Sequence, residues 1–109
     1  MTLDEFANKY NMHDSLINAI TYENNTLQID IDFAFWMQDW FIDGSSETGS
    51  LKVTFCNTSS YQHPDSLPLE DISILETSVI DDTITFALIN DMTDEYLELV
   101  ITASEVIVE

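Results

Sequence analysis

Apolar and polar positions change their period along this chain, and each change marks an element. Leu3, Phe6, Ala7 and Tyr10 recur at helical spacing. Thr2 and Glu5 precede and open that run as a capping box, with Asp4 in the first turn. The pattern predicts a short amphipathic helix over residues 3–11. From Ser15 the period becomes two. Leu16 to Tyr22 is rich in β-branched and aromatic residues, and Asn24-Asn25 tolerates the positive φ of a tight turn. Beyond it Leu27, Ile29, Ile31 and Phe33 alternate with Gln28, Asp30 and Asp32. Residues 15–34 therefore read as a β-hairpin with one buried face.

Residues 35–50 break the alternation. The aromatic stretch from Phe35 to Ile42 runs into Asp43-Gly44-Ser45-Ser46-Glu47-Thr48-Gly49, which holds both glycines of the chain and reads as a long loop. Leu51, Val53 and Phe55 restore the period as a third strand. A second loop, Asn57 to Pro68, carries both prolines. Ile72 to Ile80 is a strand, Asp81-Asp82 a turn, and Ile84, Phe86 and Leu88 belong to the next strand. After a turn at Asn90–Asp94, Tyr96 to Ile101 and Val106 to Val108 complete the set. The fold class expected is α+β: a short N-terminal helix packed on a six- or seven-stranded antiparallel β-meander, in a single domain spanning residues 1–109.

Charge changes the picture most. There are 21 acidic residues against two lysines, Lys9 and Lys52, and no arginine, for a formal charge of -19. From Val53 onward there is no Lys or Arg. Nucleic acid, anionic membrane and free phosphate are bound mainly through Lys and Arg, so all three are poor partners for this chain. The apolar fraction of 45%, with six Phe, four Tyr and two Trp, still supplies a core. A single cysteine, Cys56, excludes an intrachain disulfide and suits a reducing compartment. The opening MTLDEFANKY has acids where a secretory signal has bases, and no apolar run is long enough to span a bilayer. The expectation is a cytoplasmic protein.

Catalytic and metal chemistry find little support. His13-Asp14 invites comparison with metal-dependent phosphohydrolases, but such a site needs several further ligands and His63 is the only other histidine. The plainer reading is a helix-to-strand junction where Asp14 or Ser15 caps backbone amides. Cys56 ends a strand with no motif around it. Asp30-Ile31-Asp32 starts like a calcium loop, but Phe33-Ala34-Phe35 follows where polar ligands and glycine are needed. Asp81-Asp82 and Asp91 to Glu95 read as solvated turns. No catalytic residue, metal or cofactor is assigned, and the chain is read as a non-enzyme.

The aromatic and acidic stretch is the best functional candidate. Trp36, Trp40 and Phe41 stand beside Asp39 and Asp43 in or near the glycine-flanked loop. Large rings ringed by carboxylates suit a hot spot for a basic partner. The competing reading is that these rings cap the core. A third possibility lies on the strands: Asp30 and Asp32, at i and i+2, are about 6.6 Å apart on an extended strand, near the spacing of backbone phosphates.

Met12-His13-Asp14-Ser15-Leu16-Ile17, then Leu27 to Asp32, then Leu51-Lys52-Val53-Thr54-Phe55, form a pattern over residues 12–56. This pattern resembles small β-rich bacterial proteins of unknown function, some grouped with immunity proteins of polymorphic toxin systems. The resemblance implies an intracellular protein that neutralises a cognate toxin, and it carries over no catalytic residue. Together these readings favour an acidic, immunity-like binding protein that occludes a basic site on a partner protein such as a toxin, through Trp36, Asp39, Trp40 and Asp43. The alternatives are a DNA-mimic inhibitor of a nucleic-acid-binding protein and a self-associating structural protein whose Val106 to Val108 strand pairs with another copy. Oligomeric state is not readable from the sequence.

A charge of -19 with two opposing lysines opposes compaction by self-repulsion. Screening over a Debye length of about 10 Å at ~0.1 M salt weakens that repulsion. The melting temperature is therefore expected to rise between low salt and a few hundred millimolar NaCl. A flat or falling curve would show the acids to be locally compensated.

Overall fold

Local rules place the helix. Thr2 accepts a hydrogen bond from the Glu5 amide at 3.1 Å and Glu5 Oε1 accepts one from the Thr2 amide at 2.9 Å. This capping box opens α1, Leu3–Lys9, which buries Leu3 and Phe6. The backbone hydrogen bond with Thr2, and then its hydroxyl, hold the Glu5 carboxyl below its ordinary pKa. The sign follows: the cap's contribution is present at neutral pH and is lost as pH falls through the depressed value. The helix stops at Lys9, short of the expected Asn11, because Tyr10 turns extended and lays its ring 5.8 Å from Phe33.

The computed structural model describes residues 1–62 and 71–109. His63 and both prolines of the expected second loop lie outside the described residues. The strands are β1 Leu16–Glu23, β2 Thr26–Ala34, β3 Thr48–Cys56, β4 Ser60–Gln62, β5 Ile72–Ile80, β6 Thr83–Asn90, β7 Tyr96–Thr102 and β8 Glu105–Val108. The helix-plus-antiparallel-sheet class agrees with the sequence, but the strand count is eight rather than six or seven. The added strand, β4, has three residues, too few for any alternation to declare it. No helix among the described residues is long and apolar enough to cross a membrane.

The meander is also only partial. The order is β4-β7-β6-β5-β1-β2-β3-β8, so β1-β2-β3 and β5-β6-β7 are two separate meanders. Their far ends are joined by one bent ribbon. β3 pairs with β8 from Val53↔Val108 to Cys56↔Glu105, and the pairing resumes one residue out of step at Ser60↔Thr102 between β4 and β7. The corner between β3 and β4 is built by Asn57 at φ 53° and by buried Thr58. The Thr58 amide donates to Asn25 O at 2.7 Å, and its hydroxyl donates to Phe55 O at 3.0 Å. The sheet thus rolls back on itself around a single core.

The turns explain how so glycine-poor a chain achieves this. Among the described residues the non-glycine positions with positive φ are Asp14, Asn24, Asn25, Asn57, Asp71, Asp81 and Asp94. All are Asn or Asp, the side chains that best tolerate the left-handed region. Part of the acidity therefore serves the backbone.

The two meanders meet at a narrow seam. β1 and β5 share one ladder pair, Leu16↔Ser73. The residues before β1 extend it. Asp14 N donates to Ile74 O at 2.9 Å, and Ile74 N donates to Ser15 O at 2.8 Å. His13 Nδ1 donates to Leu75 O at 2.8 Å, beside the bulge between Ile74 and Glu76. Ser15 is fully buried, and its Oγ accepts the Ala34 amide at 3.0 Å. Inside the roll, Phe6, Phe55 and Phe86 meet at centroid distances of 6.1–6.5 Å, with the Phe55 ring edge-on to the other two. The alternating residues of β2, β6 and β7 complete this core, and α1 packs against β5 and β8.

Ser15→Ala should cost about 1–3 kcal/mol, because it leaves the buried Ala34 amide without an acceptor. Urea denaturation reads this directly. An unchanged midpoint would show that the seam does not depend on this contact.

Candidate partner-binding surface

The loop after β2 is held from below by one polar side chain. Gln38 is buried, at 6% exposure, in the middle of the aromatic run. Its Oε1 accepts the Asn11 amide at 2.9 Å, and its Nε2 donates to Asn11 O at 2.6 Å and to Ala34 O at 3.0 Å. The side-chain amide thus pairs with Asn11 as a neighbouring strand would. Above it, Phe35–Met37 forms a single 3-10 turn closed by Gln38 N to Phe35 O at 3.0 Å. Trp36 N donates to Glu47 O at 3.2 Å, which ties the start of the loop to its end.

Phe35 is the hinge between core and surface. Its ring lies edge-on to Phe33 at 5.4 Å and tilted against Trp40 at 5.9 Å. Gly49 makes room for it: a Cβ at that position would sit 2.4 Å from the Phe35 ring. The tip of the loop turns at Gly44, whose φ of +92° suits glycine.

On this support the loop shows apolar surface to solvent. Trp36 is 44% exposed, Trp40 53% and Ile42 72%. Asp39 and Asp43 are exposed beside them. The rings therefore do not cap the core; Phe35 does, and Trp40 leans on Phe35. An open cleft of about 260 Å³ is lined by Phe35, Trp40, Phe41, Ile42, Ser45 and Ser46. Trp36 is not among its walls. The two tryptophans are thus divided: one lines the cleft and the other stands outside it. Phe41, which the sequence groups with the tryptophans, is a wall of the cleft; the cleft residues that the sequence did not single out are Phe35, Ile42, Ser45 and Ser46. Gly44 and Gly49 at the far end of the segment were the signal that it does something other than continue a strand.

No Lys or Arg side chain pairs with the acids of this loop among the described residues. Among the described residues the one ion pair is His13 with Asp14, at 3.5 Å. Lys9 lies over the Tyr10 ring and Lys52 sits across the β2–β3 ladder from Asp30. The other sequence candidates scatter. His13 is engaged in the seam, Cys56 is half-buried, and no group of three His, Cys, Asp or Glu residues is placed to hold a metal among the described residues. Asp30 and Asp32 share the outer face of β2, but their cross-strand neighbours on β3 are Lys52 and Ser50, so the acidic row ends there. On β8, the Val106 amide and carbonyl are both bonded to Met1, at 2.8 and 2.9 Å.

Gly49→Ala should push Phe35 off its seat, cost about 1–3 kcal/mol through overpacking, and change Trp40 emission. A variant with unaltered fluorescence and stability would show that the loop accommodates the methyl group freely.

Comparison of the chain with protein-family models, with curated proteins and with solved structures gives no match, so the surface is interpreted from its own residues.

Proposed function

We propose that this chain is a small acidic binding protein, immunity-like in kind, that occludes a basic site on a partner protein such as a toxin. The observation that carries this reading is the exposure of Trp36, Trp40 and Ile42 on an internally tied loop beside the unopposed carboxylates of Asp39 and Asp43. The exposed halves of these rings contribute no burial in the isolated chain, whereas against a partner each would act as a hot spot. The surrounding charge of -19 would steer a basic protein toward the loop and repel acidic competitors. The cytoplasm is the compartment that fits one half-buried free thiol. No catalytic step is assigned. The DNA-mimic alternative has less support, because the strand-borne carboxylates Asp30 and Asp32 face Lys52 and Ser50 rather than further acids. Self-association through β8 has less support too, since Met1 already occupies the Val106 amide and carbonyl.

Trp40→Ala should lower folding stability by less than about 1 kcal/mol, as expected for an exposed side chain. It should weaken partner binding by about thirty-fold or more, the equivalent of ~2 kcal/mol at a hot spot. Affinity capture with the wild-type and the variant, read by mass spectrometry, tests both the surface and its chemistry. Proteins retained by the wild-type alone should be basic. Acrylamide quenching should reach both tryptophans of the free protein and be reduced in the complex. A strongly destabilised variant, or capture indifferent to Trp40, overturns the reading.

A further inference from the structure

The cleft beside Trp40 has a shape and lining more specific than a general acidic surface requires. We infer that it is a socket for one arginine side chain of the partner. The inference rests on the binding reading above and assigns the residue that the site takes.

Size comes first. At about 260 Å³ the cleft is smaller than the ~300–1,000 Å³ of small-molecule sites. It suits a single long side chain better than a cofactor. The walls come second. Phe35, Trp40 and Phe41 present three aromatic side chains, Ile42 adds an aliphatic surface, and Ser45 and Ser46 add hydroxyls. A flat, weakly hydrated guanidinium stacks on rings, its methylene stem packs on apolar carbon, and its N–H groups need acceptors. The lining supplies all three. Charge comes third. Asp39, Asp43 and Glu47 are exposed and flank or interrupt the lining segment, and no Lys or Arg lies between Lys9 and Lys52. These carboxylates are not walls of the cleft, but their charge beside the lining segment favours a cationic occupant over a neutral one. Lysine satisfies the charge alone, because its compact, strongly hydrated ammonium does not stack as a plane. The socket is also built in advance. Phe35 is fixed by Phe33 and by the space at Gly49, and the start of the loop is tied by Gln38. Less ordering is then needed on binding.

The test uses the intact protein in about 0.15 M salt, where the Debye length of about 8 Å suppresses diffuse attraction. The probes are N-acetyl-arginine amide, its lysine counterpart and its norleucine counterpart, followed by two-dimensional NMR. Arginine should produce saturable shifts at the Trp40 indole N–H and at the Ser45 and Ser46 amides. Lysine should bind about three- to five-fold more weakly. Norleucine should not saturate. Trp40→Ala, confirmed as folded by its own spectrum, should abolish the saturable shifts, and Trp40→Phe should retain them in weakened form. Norleucine binding as tightly as arginine overturns the socket. So do arginine shifts that spread over the acidic surface and survive Trp40→Ala. Failure of arginine at the cleft, with Trp40-dependent capture intact, removes the socket alone and leaves the binding surface. Saturable arginine binding without any Trp40-dependent capture supports the socket while removing the interface reading.

Discussion

The bent ribbon of β3–β4 and β7–β8 belongs to both ends of the sheet, and the enclosure of the core depends on that sharing. An open antiparallel sheet of this size would present two unpaired edges and one bare apolar face. Here each end strand is a continuation of a strand at the opposite end. The corner must therefore turn the chain without losing backbone hydrogen bonds, and Thr58 does this from a fully enclosed position by bonding Asn25 and Phe55. The helix then needs to cover only part of the roll, which is why seven helical residues suffice.

Closure of this kind has to withstand the charge. Nineteen net negative charges repel one another in any compact form, and the described residues include no lysine–carboxylate pair. The distribution shows how compaction is tolerated. Asp14, Asp71, Asp81 and Asp94 occupy left-handed turn positions, where they are solvated and where their side chains favour the local backbone. Most strand-borne acids point outward opposite neutral neighbours, as Asp32 does opposite Ser50. The interior, by contrast, is carbon: phenylalanine, leucine, isoleucine and valine, with Ser15, Gln38 and Thr58 each hydrogen-bonded.

What the sequence discloses follows the range of each interaction. Alternation from Leu27 to Phe33 is legible because each residue reports its own face, and the Asn24-Asn25 turn is legible because the backbone demands that chemistry. The capping box of Thr2 and Glu5 is equally local. The closing ribbon is not, since pairing Ser60 with Thr102 leaves no mark on the neighbours of either. The seam was legible in part. Ser15 does satisfy a backbone amide, as a junction residue should, but Asp14 contributes through its left-handed backbone rather than its carboxylate. At the aromatic loop, the sequence groups Trp36 and Trp40 with Asp39 and Asp43 in one candidate surface. It could not show that Phe35 would take the core-facing role, because that depends on the void above Gly49. Gln38, the one uncharged polar residue of the aromatic run, carried the missing clue: a buried amide requires partners.

Gln38 also couples parts of the molecule that are distant in sequence. By pairing with both backbone groups of Asn11, it joins the loop to the exit of α1, and through Ala34 to the end of β2. Loop, helix exit and strand end thus share one set of hydrogen bonds. Displacing Gln38 would therefore leave both Asn11 backbone groups and the Ala34 carbonyl short of a partner at once.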